Sequence, residues 1–191
     1  MIFETIITTT SPDGSPHIAP FGIRERDGHV VISPFRPSAS LDNLLRTGHA
    51  VVNATDDVRI FAGSLTGRRD WPVRKAETIE GWVLESALAH RELDLVSVRE
   101  DPVRPELTFK VTHAAQHAPF KGYNRAQAAV LEAAVLVSRL HMLPSDKIEA
   151  EIRYLTIAME KTAGEAEWQA WNWLIEKIEN HRASLQGGNL A

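Results

Sequence analysis

Residues 16–54 read PHIAPFGIRERDGHVVISPFRPSASLDNLLRTGHAVVNA, and the change of period inside this stretch decides the fold class. Pro16 to Arg24 and His29 to Ser33 have the composition of short strands, and Arg26-Asp27-Gly28 between them is a hairpin turn. Then Ser38-Ala-Ser40-Leu-Asp-Asn-Leu-Leu-Arg-Thr-Gly48 places Leu41, Leu44 and Leu45 at helical intervals. A serine stands where a helix needs its N-cap and a glycine where it ends. Ala50 to Ala54 returns to strand.

The pattern extends in both directions. Ile2 to Thr9 is β-rich and stops at the turn Ser11-Pro12-Asp13-Gly14. Trp82 to Ser97 reads as one or two strands and Leu107 to His117 as another, separated by Asp101-Pro102-Val103-Arg104-Pro105. Gly63 to Glu77, with Arg68, Arg69, Arg74 and Lys75 around Trp71-Pro72, reads as a loop or short irregular helix. From Asn124 the chain is helical. Asn124 to Leu140 carries so few charges that burial on most sides is expected. A second helix starts at Pro144-Ser145-Asp146 and runs to about Lys161. A third, Glu165 to Arg182, carries Trp168 and Trp171 on one face, where core packing explains them, and the tail from Gln186 reads as frayed. The class is therefore α+β, with six or seven antiparallel strands closing as a small barrel over residues 1–120 and a helical region over 121–191.

The totals exclude several functions. A formal net charge of −4 over 191 residues argues against nucleic acid as the main partner. With no cysteine there is no disulfide, thiolate nucleophile or Cys-ligated zinc. The first residues lack the pattern of a signal peptide, and no long uncharged apolar run predicts a membrane span, so a cytoplasmic globular protein is expected. His113 and His117 have metal-ligand spacing for a helix, yet on a strand they stand about 13 Å apart, so no metal is expected. Hydrolase, zincin, NTPase and Rossmann motifs are absent.

Three stretches remain as carriers of chemistry. Ser33-Pro34-Phe35-Arg36-Pro37-Ser38 leads into a helix N-terminus, which with a guanidinium suits a phosphate, although a simple cap and a solvated Arg36 explain the same residues. His17-Ile18-Ala19-Pro20-Phe21-Gly22 either lets a planar ligand approach the backbone or is an edge strand that tolerates proline. Phe120-Lys121-Gly122-Tyr123-Asn124-Arg125 places cations and an Asn at another helix start, where capping and a surface ion pair compete with anion binding.

Their order resembles the FMN-binding split barrel of the flavin reductase and pyridoxamine-phosphate oxidase superfamily. Within it, the whole chain resembles an uncharacterised family of archaea and methylotrophic bacteria with a helical C-terminal extension. The resemblance implies that Ile18, Ala19, Pro20, Phe21 and Gly22 line the isoalloxazine ring. It puts Arg36, Ser38, Ser40 and Asn43 near the phosphate and ribityl chain. Asn53, Thr55 and Asp56 reach the ring or its tail, and Lys121, Asn124 and Arg125 close the site across a homodimer interface. It implies an FMN-dependent oxidoreductase acting on a small molecule with a nicotinamide donor. A non-catalytic flavin-binding or dimeric sensor protein is the alternative. No residue is assigned as general acid or base, with His17 nearest by position.

Overall fold

A computed structural model of the chain describes residues 1–187. Strands β1 (Phe3–Thr10) and β2 (Pro16–Arg26) form a hairpin whose turn is fixed by Asp13, its Oδ1 accepting from the backbone N–H and hydroxyl of Ser15. The next turn, into β3 (His29–Ile32), has Asp27 at φ 51° and Gly28 at φ 76°. Two successive left-handed residues make the type I′ turn that matches strand twist. Helix α1 (Ala39–Thr47) begins with Ser38 Oγ accepting from the Leu41 N–H and ends at Gly48, φ 71°, whose N–H bonds the Leu44 carbonyl. Both caps stand where the sequence puts them.

β4 (His49–Ala54), β7 (Ala89–Arg99) and β8 (Glu106–Gln116) complete a closed six-stranded barrel of order β1-β2-β3-β8-β7-β4, antiparallel throughout. The expected region Trp82 to Ser97 splits: Trp82–Leu84 is β6, paired with β5 (Val73–Lys75) in a separate two-stranded ribbon. Inward-facing Ile7, Ile23, Val30, Ile32, Val52, Leu93, Leu107 and Phe109 pack with Leu41 and Leu44 of α1. Fully burying side chains of this kind is worth about 1.5–3 kcal/mol each. Alternation turns Ile6, Thr8, Val51 and Asn53 to the outer face, which the β5–β6 ribbon covers. There Thr8 Oγ donates to the Trp82 carbonyl, and Asn53 Oδ1 accepts from the Leu84 N–H at 2.9 Å.

Two compact units emerge, residues 1–56 with 70–120, and residues 57–69 with the chain from 121 onward. The helical unit contains α2 (Arg59–Thr66), α3 (Arg125–Val137), a 3-10 turn (Leu140–Met142), α4 (Ser145–Thr162) and α5 (Glu165–Gly187). Its core gathers Val58, Ala62, Ala126, Val130, Ala133, Met159, Trp171 and Leu174. Helix α2 ends at Thr66, inside the segment that reads as a loop or short irregular helix, and the basic cluster divides. Arg68 stacks on Trp173 in the helical unit, while Arg74 and Lys75 lie on β5 in the barrel unit. Two expectations need correction. Helix α3 buries one face only, with Arg125, Ala128, Glu132 and Val135 exposed, because alanines at 126, 129, 133 and 134 supply the packing stripe. Of the tryptophan pair, Trp171 is in the core and Trp168 is 36% exposed. Gln186 and Gly187 continue α5; residues 188–191, read as part of the frayed tail, lie outside the described residues. No helix among the described residues is long and apolar enough to cross a membrane.

Candidate functional site

β2 pairs with β1 along Pro16–Ile23, but with β3 only from Arg24 to Arg26. The opposite edge of Ile18–Gly22 therefore has no strand partner among the described residues. Pro20, with no N–H to give a ladder, is tolerated for that reason. Beside this one-sided length of strand stands the start of α1, joined to it by His17 Nε2 and Ser40 Oγ at 3.0 Å. Ser40 is 3% exposed, so the bond fixes strand and helix start together. The structure thus brings His17, Ile18–Gly22, Ser38 and Ser40 into one corner. Its free groups are backbone ones, with the positive end of a helix dipole next to them.

The loop into α1 is held rigidly. Arg104 Nε donates to the Ser33 carbonyl at 2.8 Å, and its guanidinium stacks over Phe35 at 4.7 Å. Arg36 donates its backbone N–H to the Val103 carbonyl and its guanidinium to Glu100, a carboxylate 69% exposed. Nearby, Arg24, Arg26 and Arg99 converge on the buried Glu106 carboxylate at 2.9–3.2 Å. Burial alone would raise the Glu106 pKa, but the bonds from Arg26 and Arg99 outweigh it and hold it below the ordinary 4.5. A carboxylate depressed in the folded state stabilises fully above its unfolded pKa and less as pH falls toward the folded one. Glu106→Gln is therefore expected to lower stability by about 1–2 kcal/mol near neutral pH, the exposed guanidiniums keeping the value small. Urea midpoints of the two proteins should converge as pH falls below the ordinary carboxylate range.

The other expected residues are placed differently. Asn43 is 3% exposed and donates to Thr9 Oγ. Asn53 is fully buried; its Nδ2 donates to the Ile6 and Val51 carbonyls and Thr8 Oγ while Oδ1 takes the Leu84 N–H. These bonds make Asn53 the tie between barrel and ribbon, and a buried side chain so engaged offers nothing to a ligand. Thr55 donates to the Ser86 carbonyl, and Asp56 is half-buried at the end of the segment. Lys121, Asn124 and Arg125 belong to the helical unit. Asn124 caps α3 through the N–H groups of Ala126 and Gln127 and donates to the Thr162 carbonyl. Arg125 is exposed on the first turn of α3.

Sequence reasoning missed a second cluster, on the outer barrel face beneath the loop joining β5 and β6. The β7–β8 register sets Glu92 opposite His113 and His90 opposite Ala115. His90 and Glu92 have completely buried side chains, 3.3 Å apart from Nε2 to Oε1. The Glu92 carboxylate accepts from the Glu77 N–H, the Thr78 N–H and the Thr78 hydroxyl, each at 2.6 Å. Burial would raise this carboxyl, but those bonds win and bring its pKa down to about 2. Burial likewise pushes the His90 imidazole down, against its bond to Glu92. His90 Nδ1 lies 2.8 Å from His117 Nε2, with the two rings stacked, and Arg74 Nη2 lies 3.1 Å from the same His117 nitrogen. His113 and His117 both lie against His90, at ring-centroid distances of 5.6 Å and 5.0 Å, so cross-strand His90 is what gathers them. Paired β-rich segments with His90 and Glu92 at i, i+2 were the available signal, and only register converts it into contact.

A cavity of about 600 Å³ opens at one end of the barrel, lined by Phe3, Thr5, Val52, Ala54, Arg91 and Ala115 among others. Arg91 and Glu25 pair at 2.6 Å there.

No curated protein matches the sequence. Among solved structures, the FMN-bound protein MM1853 from Methanosarcina mazei, described as a DUF447 protein, is similar at TM-score 0.80 and 23% identity over 92% of this chain and 94% of that one. The 2-nitrobenzoate 2-nitroreductase NbaA of Pseudomonas fluorescens is similar at TM-score 0.52 and 17% identity, over 60% and 64% of the two chains. BorF, the flavin reductase component of a bacterial two-component tryptophan halogenase, is similar at TM-score 0.52 and 17% identity, over 62% and 82%. The fold is thus the split barrel that the resemblance implied. Residues 3–118 match the N-terminal domain, and residues 124–176 the remaining part, of one family. The chain belongs to the family described as protein of unknown function DUF447.

Proposed function

We propose that the protein binds FMN at the corner between the unpaired edge of β2 and the start of α1, and acts as a flavin-dependent oxidoreductase on a small molecule. The observation that carries the reading is the one-sided strand Ile18–Gly22 held against a helix N-terminus by His17 and Ser40. A same-family protein of matching fold described as FMN-bound supports it. The residues fit the group. Open backbone N–H and C=O groups on β2 suit the polar edge of an isoalloxazine ring, and the α1 N-terminus suits a phosphate. Arg36 pairs only with an exposed carboxylate among its described ion pairs, so a phosphate can compete for its guanidinium. Bound FMN would supply the redox chemistry, whereas the chain binds, orients and shields it.

Titration with FMN, followed by quenching of flavin fluorescence, tests the site. The wild-type chain is expected to bind, and Arg36→Ala to bind more weakly by about 1–3 kcal/mol. Unchanged affinity removes Arg36 from the site, and a wild-type protein that never binds FMN ends the flavin reading. Reduction of the bound flavin by NADH or NADPH then separates an enzyme from a carrier. The second reading, a dimeric flavin-binding or sensor protein, draws on the apolar residues Val135, Tyr154 and Ile157 exposed on α3 and α4. Flavin that resists nicotinamide reduction, in a chain that runs as a dimer, favours it.

A further inference from the structure

Hydrogen-bond direction in the histidine cluster fixes where its protons lie. Arg74 is always protonated and donates only, so its 3.1 Å contact makes His117 Nε2 an acceptor. The hydrogen in the 2.8 Å contact between His117 Nε2 and His90 Nδ1 must then belong to His90. With its Nδ1 protonated, a neutral His90 turns the lone pair of Nε2 toward Glu92 Oε1, only 3.3 Å away. Two buried acceptors facing each other at that distance need a cation between them. His113 offers a ring nitrogen within 4.8 Å of ligand atoms of both. Its Nε2 is buried without a hydrogen bond of proper geometry, with Glu77 Oε2 at 3.4 Å.

We propose that His90, Glu92 and His113 form a binding site for a divalent transition-metal ion of the zinc class. One ligand atom from each lies within 4.8 Å of the other two. A tetrahedral ion with bonds near 2.1 Å spaces its ligands by roughly 3.4 Å, so the cluster closes by up to about 1.4 Å at its widest. Two imidazoles and one carboxylate suit zinc, cobalt or nickel and not calcium or magnesium, which prefer oxygen. The outer contacts are those a metal site requires: His117 holds the far nitrogen of His90, while Thr78 and the Glu77 N–H hold the Glu92 carboxylate. Glu77, with its side chain 54% exposed beside His113, is placed to swing in as a fourth ligand. The ion would then clamp the β5–β6 loop to the barrel wall. A lone proton shared by His90 and Glu92 is the rival occupant, and it leaves His113 Nε2 with only the Glu77 carboxylate, at 3.4 Å.

The test uses the full-length chain, freed of any affinity tag and treated with chelator, then titrated with cobalt(II) and with zinc(II). One equivalent of cobalt is expected to give the visible ligand-field bands of a low-symmetry site. Saturating zinc is expected to raise the melting temperature by about 5 °C or more. His113→Ala should weaken cobalt binding at least a hundredfold, and His141→Ala, which changes an exposed histidine of the helical unit, should leave it unchanged. Zinc-edge X-ray absorption of the wild-type protein should count two imidazole ligands, a measurement that needs no variant to fold. A wild-type protein without bands or thermal shift at sub-millimolar metal overturns the site in favour of the proton. Cobalt bands that survive His113→Ala overturn the ligand assignment.

Discussion

Glu92→Leu is expected to remove about 4–6 kcal/mol of unfolding free energy, enough to leave a protein of ordinary stability largely unfolded. The side chain is fully buried and accepts three hydrogen bonds at 2.6 Å from Glu77 and Thr78. Bonds to a charged acceptor are worth about 1.5–3 kcal/mol each, and leucine leaves the two loop N–H groups without their acceptor. Opposing this, the wild-type carboxylate carries a desolvation cost that leucine lacks, which keeps the estimate below the sum of three such bonds. Urea unfolding of chelator-treated protein measures the loss free of any metal contribution. Glu92→Gln should fall between wild type and leucine, because one amide oxygen still accepts while the NH2 group faces donors. A leucine variant as stable as wild type would show that the loop does not depend on this anchor.

Asn53→Ala should cost about 3–4 kcal/mol by a different route. No charge is lost. Instead, the Leu84 N–H loses its acceptor, and the Ile6 and Val51 carbonyls lose a donor inside a packed layer. Alanine also leaves a gap beside Thr8, which the rigid barrel wall cannot fill by collapse. Hydrogen exchange locates the effect: the Leu84 amide should exchange faster by a larger factor than amides at the centre of the barrel. If instead the barrel and ribbon amides speed up equally, the ribbon folds only as part of the barrel and Asn53 is not a local tie.

The parts of the fold legible in the sequence were those whose determinants are local. Ser38 and Gly48 bracket α1, and Asp27-Gly28 makes its hairpin turn, because a cap or a turn is specified by the few residues that form it. Helix α2 was not legible. Its eight residues include Gly63 and Ser64 and start without a side-chain cap, and burial of Ile60, Phe61 and Ala62 stabilises it instead. The candidate site divides the same way. The strand Ile18–Gly22 and the helix start at Ser38 are adjacent features of one sequence segment and were read together. The resemblance puts Asn53 beside the flavin, whereas the ribbon that covers it comes from residues 73–84, which no local pattern connects to it. His90, Glu92 and His113 were invisible as a group for a stricter reason: a shift of one residue in β7–β8 pairing would send them to opposite faces.

The family match divides the protein near residue 120, as if the C-terminal part were a separable module. The chain's path says otherwise. Residues 57–69 leave the barrel segment, contribute Val58 and Ala62 to the helical core, and return at residue 70. A truncation after residue 120 would therefore strand an apolar helix on the shortened protein, and the excised C-terminal piece would lack part of its own interior. Cut there, neither half is a clean unit. Gene fusion or fission at that boundary would have to carry or replace α2 at the same time.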